Sequence, residues 1–103
     1  MKLLTNAIIQ KFQKTGTQDI ENPIVIAKFF NPVGIGTWYA TEYDPDTKVF
    51  FGRVDLHESE WGYFSKEELE NVSLPFPWSH KSYFGELGIE RDIYFEPTQD
   101  SEL

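Results

Sequence analysis

The amino-acid sequence predicts one α+β domain in which an antiparallel sheet of about five strands carries an N-terminal helix and a short second helix packed on one face. Residues 36–54 contain two runs of Thr, Trp, Tyr, Val and Phe separated by Asp-Pro-Asp, which is typical of a β-hairpin and its turn. Leu4, Ile8 and Phe12 recur at the spacing of one helix face. The chain of 103 residues is long enough for one such domain and too short for two.

The first helix is predicted over residues 5–14, with Thr5 or Asn6 as its cap and Gly16 at its end. A polar stretch without periodicity follows and is predicted to be a surface loop. Residues 24–30 are rich in β-branched and aromatic side chains, so we expect them to form the first strand.

The hairpin supplies the next two strands and residues 61–64 the fourth, so residues 24–64 are predicted to form a meander. Ser65 and Glu68 have the spacing of a capping box, which predicts a short helix over residues 66–71. The expected core consists of the large strand residues and the helix stripe, namely Trp38, Tyr39, Phe51, Tyr63, Phe64 and Phe95 with Leu4, Ile8 and Phe12.

A final strand is predicted over residues 89–96, where apolar and polar side chains alternate until Pro97. Its place in the sheet stays open, because a long segment separates it from the meander. The domain is therefore expected to cover residues 1–97, and residues 98–103 are predicted to be a flexible polar tail.

An aromatic segment over residues 74–84 lies between Pro, Ser and Gly residues. It contains Phe76, Trp78, Tyr83 and Phe84, which a solvated loop would not normally carry. Two interpretations remain open: the segment covers an edge of the core, or it presents a binding surface.

Composition excludes several classes of function. The chain has no cysteine, so disulfides, thiolate metal sites and a cysteine nucleophile are ruled out. The formal charge of −8 disfavours direct binding to nucleic-acid phosphates. No stretch approaches the roughly 20 apolar residues of a membrane span, and the interrupted apolar start is not typical of a signal peptide. We expect a cytoplasmic protein without a membrane partner.

The charge is distributed unevenly along the chain. Residues 1–41 carry a net charge of +2, and residues 42–103 carry −10. Acidic surfaces usually serve solubility, but they also attract basic partners. The carboxylates that we expect to contact a basic protein surface are Asp44, Asp46, Asp55, Glu58, Glu60, Glu90 and Asp92.

The sequence predicts no metal ligand, no cofactor and no catalytic residue. His57 and His80 lie far apart without further ligands, whereas a zinc site needs three or four. Carboxylate pairs such as Asp44 with Asp46 have the chemistry to bind Mg²⁺, but carboxylates in turns are solvated by default.

Arg91 shares its strand phase with the apolar residues Ile89 and Ile93, so its guanidinium is expected on the apolar face, where it needs a carboxylate. Glu42 shares the phase of the central hairpin and is the first choice for a structural ion pair, with Asp55 as the second. The alternative is that Arg91 lies near a sheet edge and extends to water.

Five motifs follow one another along the chain: Lys28-Phe29-Phe30-x-Pro32, Thr37-Trp38-Tyr39-x-x-Glu42, Phe50-Phe51-Gly52-x-Val54, Glu60-x-Gly62-Tyr63-Phe64-Ser65-x-x-Glu68-Leu69 and Ile89-Glu90-Arg91-Asp92-x-Tyr94-Phe95. Taken together in this order, they resemble a small bacterial family known as domain of unknown function 2958. The resemblance implies a short cytoplasmic protein of plasmids, phages and other mobile elements, or a domain attached to DNA-processing proteins. It implies no activity.

The leading functional hypothesis is a non-enzymatic protein-binding module, in concrete form an acidic inhibitor that mimics nucleic-acid phosphates towards a basic host protein. The alternative is a metal-dependent enzyme or accessory subunit in DNA processing. A purely structural accessory domain is the third possibility.

Overall fold

The computed structural model describes residues 3–19, 21–32, 34–71 and 88–103. Helix α1 (Asn6–Thr15) begins at Thr5, whose hydroxyl accepts a hydrogen bond from the Ile8 N–H at 3.3 Å. It ends at Gly16, whose N–H donates to the Phe12 carbonyl and whose φ of 70° suits glycine. The predicted cap and end of this helix are confirmed.

The predicted α+β fold is also confirmed. Five strands form an antiparallel sheet in the order β5-β4-β3-β2-β6, and β1 pairs separately with β7. The strands are β1 (Ile24–Val25), β2 (Ala27–Phe30), β3 (Thr37–Asp44), β4 (Val49–Asp55), β5 (Ser59–Ser65), β6 (Glu90–Arg91) and β7 (Thr98–Gln99). Helix α2 (Lys66–Asn71) follows β5, with the Ser65 hydroxyl accepting the Glu68 N–H at 2.9 Å, and a short 3-10 helix covers Asp100–Glu102.

Three predicted strands have different bounds in the structure, and one of them, expected over residues 61–64, is extended at both ends as β5. The strand expected over residues 24–30 is divided at Ile26, because its first part pairs with β7 and its second with β3. The strand expected over residues 89–96 is limited to β6, which pairs with β2. Beyond it the chain turns, since the Asp92 carboxylate accepts the Tyr94 N–H at 3.0 Å and the Phe95 N–H donates to the Asp92 carbonyl.

The last six residues were expected to be a flexible tail, but they are attached to the domain. Thr98 and Gln99 pair with β1, and the Asp100 N–H donates to the Pro23 carbonyl at 2.9 Å. The Asn22 side chain accepts the Ser101 N–H at 3.0 Å. Backbone pairing with a distant segment therefore orders residues that are polar in sequence.

The register of the central hairpin shifts at Thr41. Ala40 pairs with Gly52, but Glu42 pairs with Phe51, so Thr41 is the extra residue of a β-bulge. Its side chain is buried, and its hydroxyl donates to the Phe51 carbonyl at 3.1 Å. Because strand side chains alternate, the extra residue moves every later side chain of β3 to the other face of the sheet.

We call the side of the sheet that contacts α1 the helix face, and the other side the opposite face. The buried side chains of the helix face include Ala27, Phe29, Ala40, Phe50 and Phe64. They pack with Phe12 of α1, with Leu69 of α2 and with Leu4, which precedes α1. The register places Tyr39, Phe51, Arg53, Trp61 and Tyr63 on the opposite face.

The predicted core is correct for one face only. Phe64 is buried as expected, and Trp38 packs against the core from a partly buried position. Tyr39, Phe51 and Phe95 are half-buried and outside the core cluster, and Tyr63 is 79% exposed. The expectation chose the wrong member of Phe50-Phe51, because the two adjacent rings necessarily point to opposite faces.

Neither α1 nor α2, the two α-helices in the described part of the chain, has the length and apolar character that crossing a bilayer requires.

The glycine at the bulge yields a first prediction. A Cβ on Gly52 would overlap the Tyr39 carbonyl oxygen and come within 3.0 Å of the Ala40 Cα, whereas a Cβ on its strand partner Gly62 would meet nothing within 4 Å. Gly52→Ala should therefore lower the free energy of unfolding by about 3 kcal/mol. Gly62→Ala, the matched control, should change it by less than about 0.5 kcal/mol. Chemical denaturation measures both, and equal effects would contradict the observed register.

The two adjacent phenylalanines yield a second prediction. Phe50 is fully buried, and its ring centroid lies 4.7–6.0 Å from those of Phe12, Phe29, Tyr43 and Phe64. Phe50→Ala should cost about 3–5 kcal/mol of stability. Phe51→Ala removes a half-buried ring from the other face and should cost clearly less. A reversed order in urea denaturation would show that the strand phase is wrong.

Candidate functional site

The carboxylates predicted to bind a partner lie in three places on the sheet. Asp44 and Asp46 occupy the turn between β3 and β4, which we call the hairpin tip (residues 44–48). Asp55, Glu58 and Glu60 lie at the other end of β4, about 20 Å away along a seven-residue strand. Glu90 and Asp92 lie at β6, on the edge of the sheet. The structure therefore does not gather them into one patch.

Exposure and pairing separate these groups further. Asp44 and Asp46 are exposed, and the Asp44 carboxylate accepts the Asp46 N–H at 2.9 Å, which stabilises the turn. Glu58 and Glu60 are exposed at the other end of the hairpin. Asp92 is half-buried, and its carboxylate lies 3.9 Å from the Lys28 ammonium. A charge that is already paired attracts an external partner less strongly than an unpaired one.

Asp55 has an internal role. Its carboxylate accepts hydrogen bonds from the Arg53 guanidinium and the Ser59 hydroxyl. The same guanidinium donates to Asp100 at 2.9 Å and lies 4.4 Å above the Tyr39 ring. Burial lowers the pKa of Arg53, but the hydrogen bonds to Asp100 and Asp55 outweigh it, and the net pKa is raised. This network fixes the C-terminal residues to the opposite face.

The predicted ion pair of Glu42 with Arg91 does not form. Arg91 pairs with Phe29 and lies on the helix face, as expected, whereas the bulge places Glu42 on the opposite face. Strand β2 also lies between them. Glu42 instead accepts the Gln18 N–H at 3.2 Å. The second choice, Asp55, pairs with Arg53.

Gln18 is a residue whose role sequence reasoning missed. Its side-chain amide donates to the carbonyls of Ile24 and Thr41, at 2.8 and 3.0 Å, and its amide oxygen accepts the Ile24 N–H. The bond to the Thr41 carbonyl satisfies a backbone group at the bulge, and the two bonds to Ile24 attach the loop to β1. A glutamine in a polar loop carries no sequence signal for this contact.

Acidic residues of α2 also lie near the hairpin tip, which the prediction overlooked. Ser65 pairs with Val49, which pairs with Asp44, and α2 begins at the next residue. The helix contributes Glu67, Glu68 and Glu70, of which Glu70 pairs with Lys66 at 3.0 Å. Lys48 lies within the tip itself, so the local field is mixed but predominantly negative.

A cavity of about 440 Å³ lies beside the hairpin tip. Its walls include the carboxylates of Glu42 and Asp44 and the aromatic residues Phe51 and Tyr63, with the end of α1 closing one side. The Phe51 and Tyr63 rings meet edge to face, with centroids 5.0 Å apart. The cavity is within the size range of small-ligand pockets in proteins.

The described residues contain no group of three or more His, Asp or Glu side chains placed to hold a metal ion. His57 lies in the exposed turn between β4 and β5. His80 and the aromatic segment over residues 74–84 lie outside the described residues.

Comparison with known proteins places the chain in a family. A model described as "Protein of unknown function (DUF2958)" matches residues 1–101. The chain belongs to this family. No curated protein and no solved structure matches it. The family predicted from the five motifs is confirmed, and its description names no activity.

In this DUF2958 protein, the charges of the hairpin tip and of α2 act on the hydroxyl of Tyr43. Burial raises the pKa of the Tyr43 hydroxyl, the ammonium of Lys66 lowers it, and the carboxylates of Glu70 and Asp44 raise it. The net pKa is above the ordinary tyrosine value of about 10.

The raised pKa of Tyr43 predicts a loss of stability at high pH. In the unfolded chain this tyrosine loses its proton at about pH 10, whereas the folded protein resists the loss, so rising pH favours unfolding. The contribution is fully present below pH 10 and disappears as pH rises through the folded pKa. Thermal melts at about pH 8–11 should show that the wild type loses stability more steeply than Tyr43→Phe. Tyr94→Phe, at an exposed tyrosine, is the control for hydroxyl removal. Parallel curves for wild type and Tyr43→Phe would contradict the prediction.

Proposed function

We propose that this protein is a non-enzymatic binding module that engages a basic protein surface through carboxylates at its hairpin tip. The supporting observation is that the acids of the hairpin tip are exposed and take part in none of the ion pairs that the described part of the chain contains. The four ion pairs among the described residues occupy Asp55, Asp92, Asp100 and Glu70, whereas Asp44 and Asp46 are exposed at the end of the hairpin that borders the cavity.

The charge of the whole chain favours the same class of partner. A formal charge of −8, with −10 over residues 42–103, accelerates encounter with a positive surface and opposes contact with phosphates. An inhibitor that offers carboxylates where a DNA-binding protein expects phosphates is the most specific form of the proposal. Cytoplasmic action and a mobile-element origin belong to that form.

Neutralising the tip carboxylates tests the proposal. Asp44→Asn/Asp46→Asn removes two charges and keeps an oxygen that accepts the turn hydrogen bond. Glu58→Gln/Glu60→Gln removes two charges at the other end of the hairpin and is the matched control. Each protein is immobilised, exposed to bacterial lysate at about 0.05 M and about 0.5 M salt, and the captured proteins are identified and purified for titration.

The proposal predicts a basic captured protein whose affinity falls at least about tenfold in the tip variant and in high salt, because screening weakens contacts between exposed charges. The control variant should retain affinity within about twofold. A partner that binds the tip variant and the wild type equally at both salt concentrations would refute it.

A further inference from the structure

We propose that the cavity beside the hairpin tip is a receptor site for one arginine side chain of the partner protein. This inference rests on the proposed function and names the chemical group that the module would recognise. It depends on the walls of the cavity, on how Glu42 is held, and on a comparable arrangement elsewhere on the same face.

The cavity walls combine negative charge with aromatic surface. Glu42 and Asp44 supply two carboxylates, and Phe51 and Tyr63 supply two rings, while none of the described residues that line the cavity is a lysine or arginine. A planar guanidinium satisfies both features, since it stacks on an aromatic face and donates hydrogen bonds to carboxylates. An aliphatic side chain would leave the carboxylates without a charged partner.

The side chains of the site are held in different ways. The Gln18 N–H donates to one oxygen of Glu42 at 3.2 Å, which orients the carboxylate and leaves its other oxygen available. Gln18 is itself held by its bonds to Ile24 and Thr41. Tyr63 is 79% exposed and packs edge to face on Phe51. A largely exposed ring at a cavity wall is available to cover an incoming side chain.

The opposite face already contains one arginine held in this way. Arg53 lies 4.4 Å above the Tyr39 ring and donates hydrogen bonds to Asp55 and Asp100. The cavity offers the same types of groups, two carboxylates and aromatic rings, at positions further along the same strands. The internal site shows that this face accommodates a guanidinium between a ring and two acids.

The test is a titration of the full chain with N-acetyl-L-arginine N-methylamide, in which binding is monitored through the amide chemical shifts in NMR spectra. The neutral analogue N-acetyl-L-citrulline N-methylamide is the matched control ligand, because it has nearly the same shape without the charge. The arginine probe should shift amides of Gly16, Thr17, Glu42 and Tyr63 in a saturable way, with a Kd on the order of millimolar. The citrulline probe should cause no saturable shifts there.

Two variants with matched controls complete the test. Glu42→Gln keeps an acceptor for Gln18 but removes the charge, and should weaken arginine binding about tenfold. Tyr63→Ala removes the exposed ring and should weaken it about threefold. Glu58→Gln and Tyr94→Ala alter an exposed acid and an exposed ring outside the cavity, and should leave Kd within about twofold.

The outcomes distinguish this inference from the proposed function. If the arginine and citrulline probes bind alike, or Glu42→Gln binds arginine as the wild type does, the arginine site is refuted, even where a salt-dependent partner still requires Asp44 and Asp46. If the probe behaves as expected while a captured partner ignores those two carboxylates, the proposed function fails and the arginine site stands alone.

Discussion

The β-bulge at Thr41 is the constraint on which the rest of the structure depends. It inserts one residue opposite the step from Phe51 to Gly52 in the middle of β4, and so reverses the face to which the last part of β3 points. The Tyr43 side chain is thereby directed to the helix face, where its ring centroid lies 4.7 Å from that of Phe50 and 5.9 Å from that of Phe12. Without the extra residue, Glu42 would take that place, and a carboxylate would have to be buried beneath α1.

The same reversal creates the candidate site. Glu42 is moved to the opposite face, in one row with Phe51 and Tyr63, and it becomes a wall of the cavity. Because a buried polar backbone is costly unless it is hydrogen-bonded, the bulge also needs Gln18 to satisfy the Thr41 carbonyl. Core packing and the cavity are therefore two consequences of one register shift, and the loop after α1 supports both.

Local signals made much of the fold predictable from sequence, and non-local contacts explain what was missed. The caps at Thr5 and Ser65 act on groups three residues away, so the helix bounds can be read directly. Thr41 has no Gly or Pro to mark a bulge, and the adjacent Phe50 and Phe51 are equivalent until register is known. Asp100 finds Arg53 across 47 residues, which no local pattern encodes. The predicted ion pair of Glu42 with Arg91 does not form, because the prediction assumed that side chains alternate without interruption along β3.

The internal ion pairs decide where an acidic chain can attract a partner. Arg53 lies on the opposite face near the centre of β4. Its charge is neutralised by two carboxylates, Asp55 and the C-terminal Asp100. The Lys28 ammonium lies 3.9 Å from the Asp92 carboxylate, and Lys66 pairs with Glu70 at 3.0 Å. Asp44, Asp46, Glu58 and Glu60 at the ends of the hairpin are exposed and take part in none of these pairs, so they leave a negative field there. At the tip, this negative field lies beside a cavity whose walls include the aromatic rings of Phe51 and Tyr63. A site with both negative charge and aromatic walls discriminates among cations by shape as well as by charge. The exposed acids at the other end of the hairpin, Glu58 and Glu60, do not border this cavity, so we expect them to have little effect on which cation the tip selects.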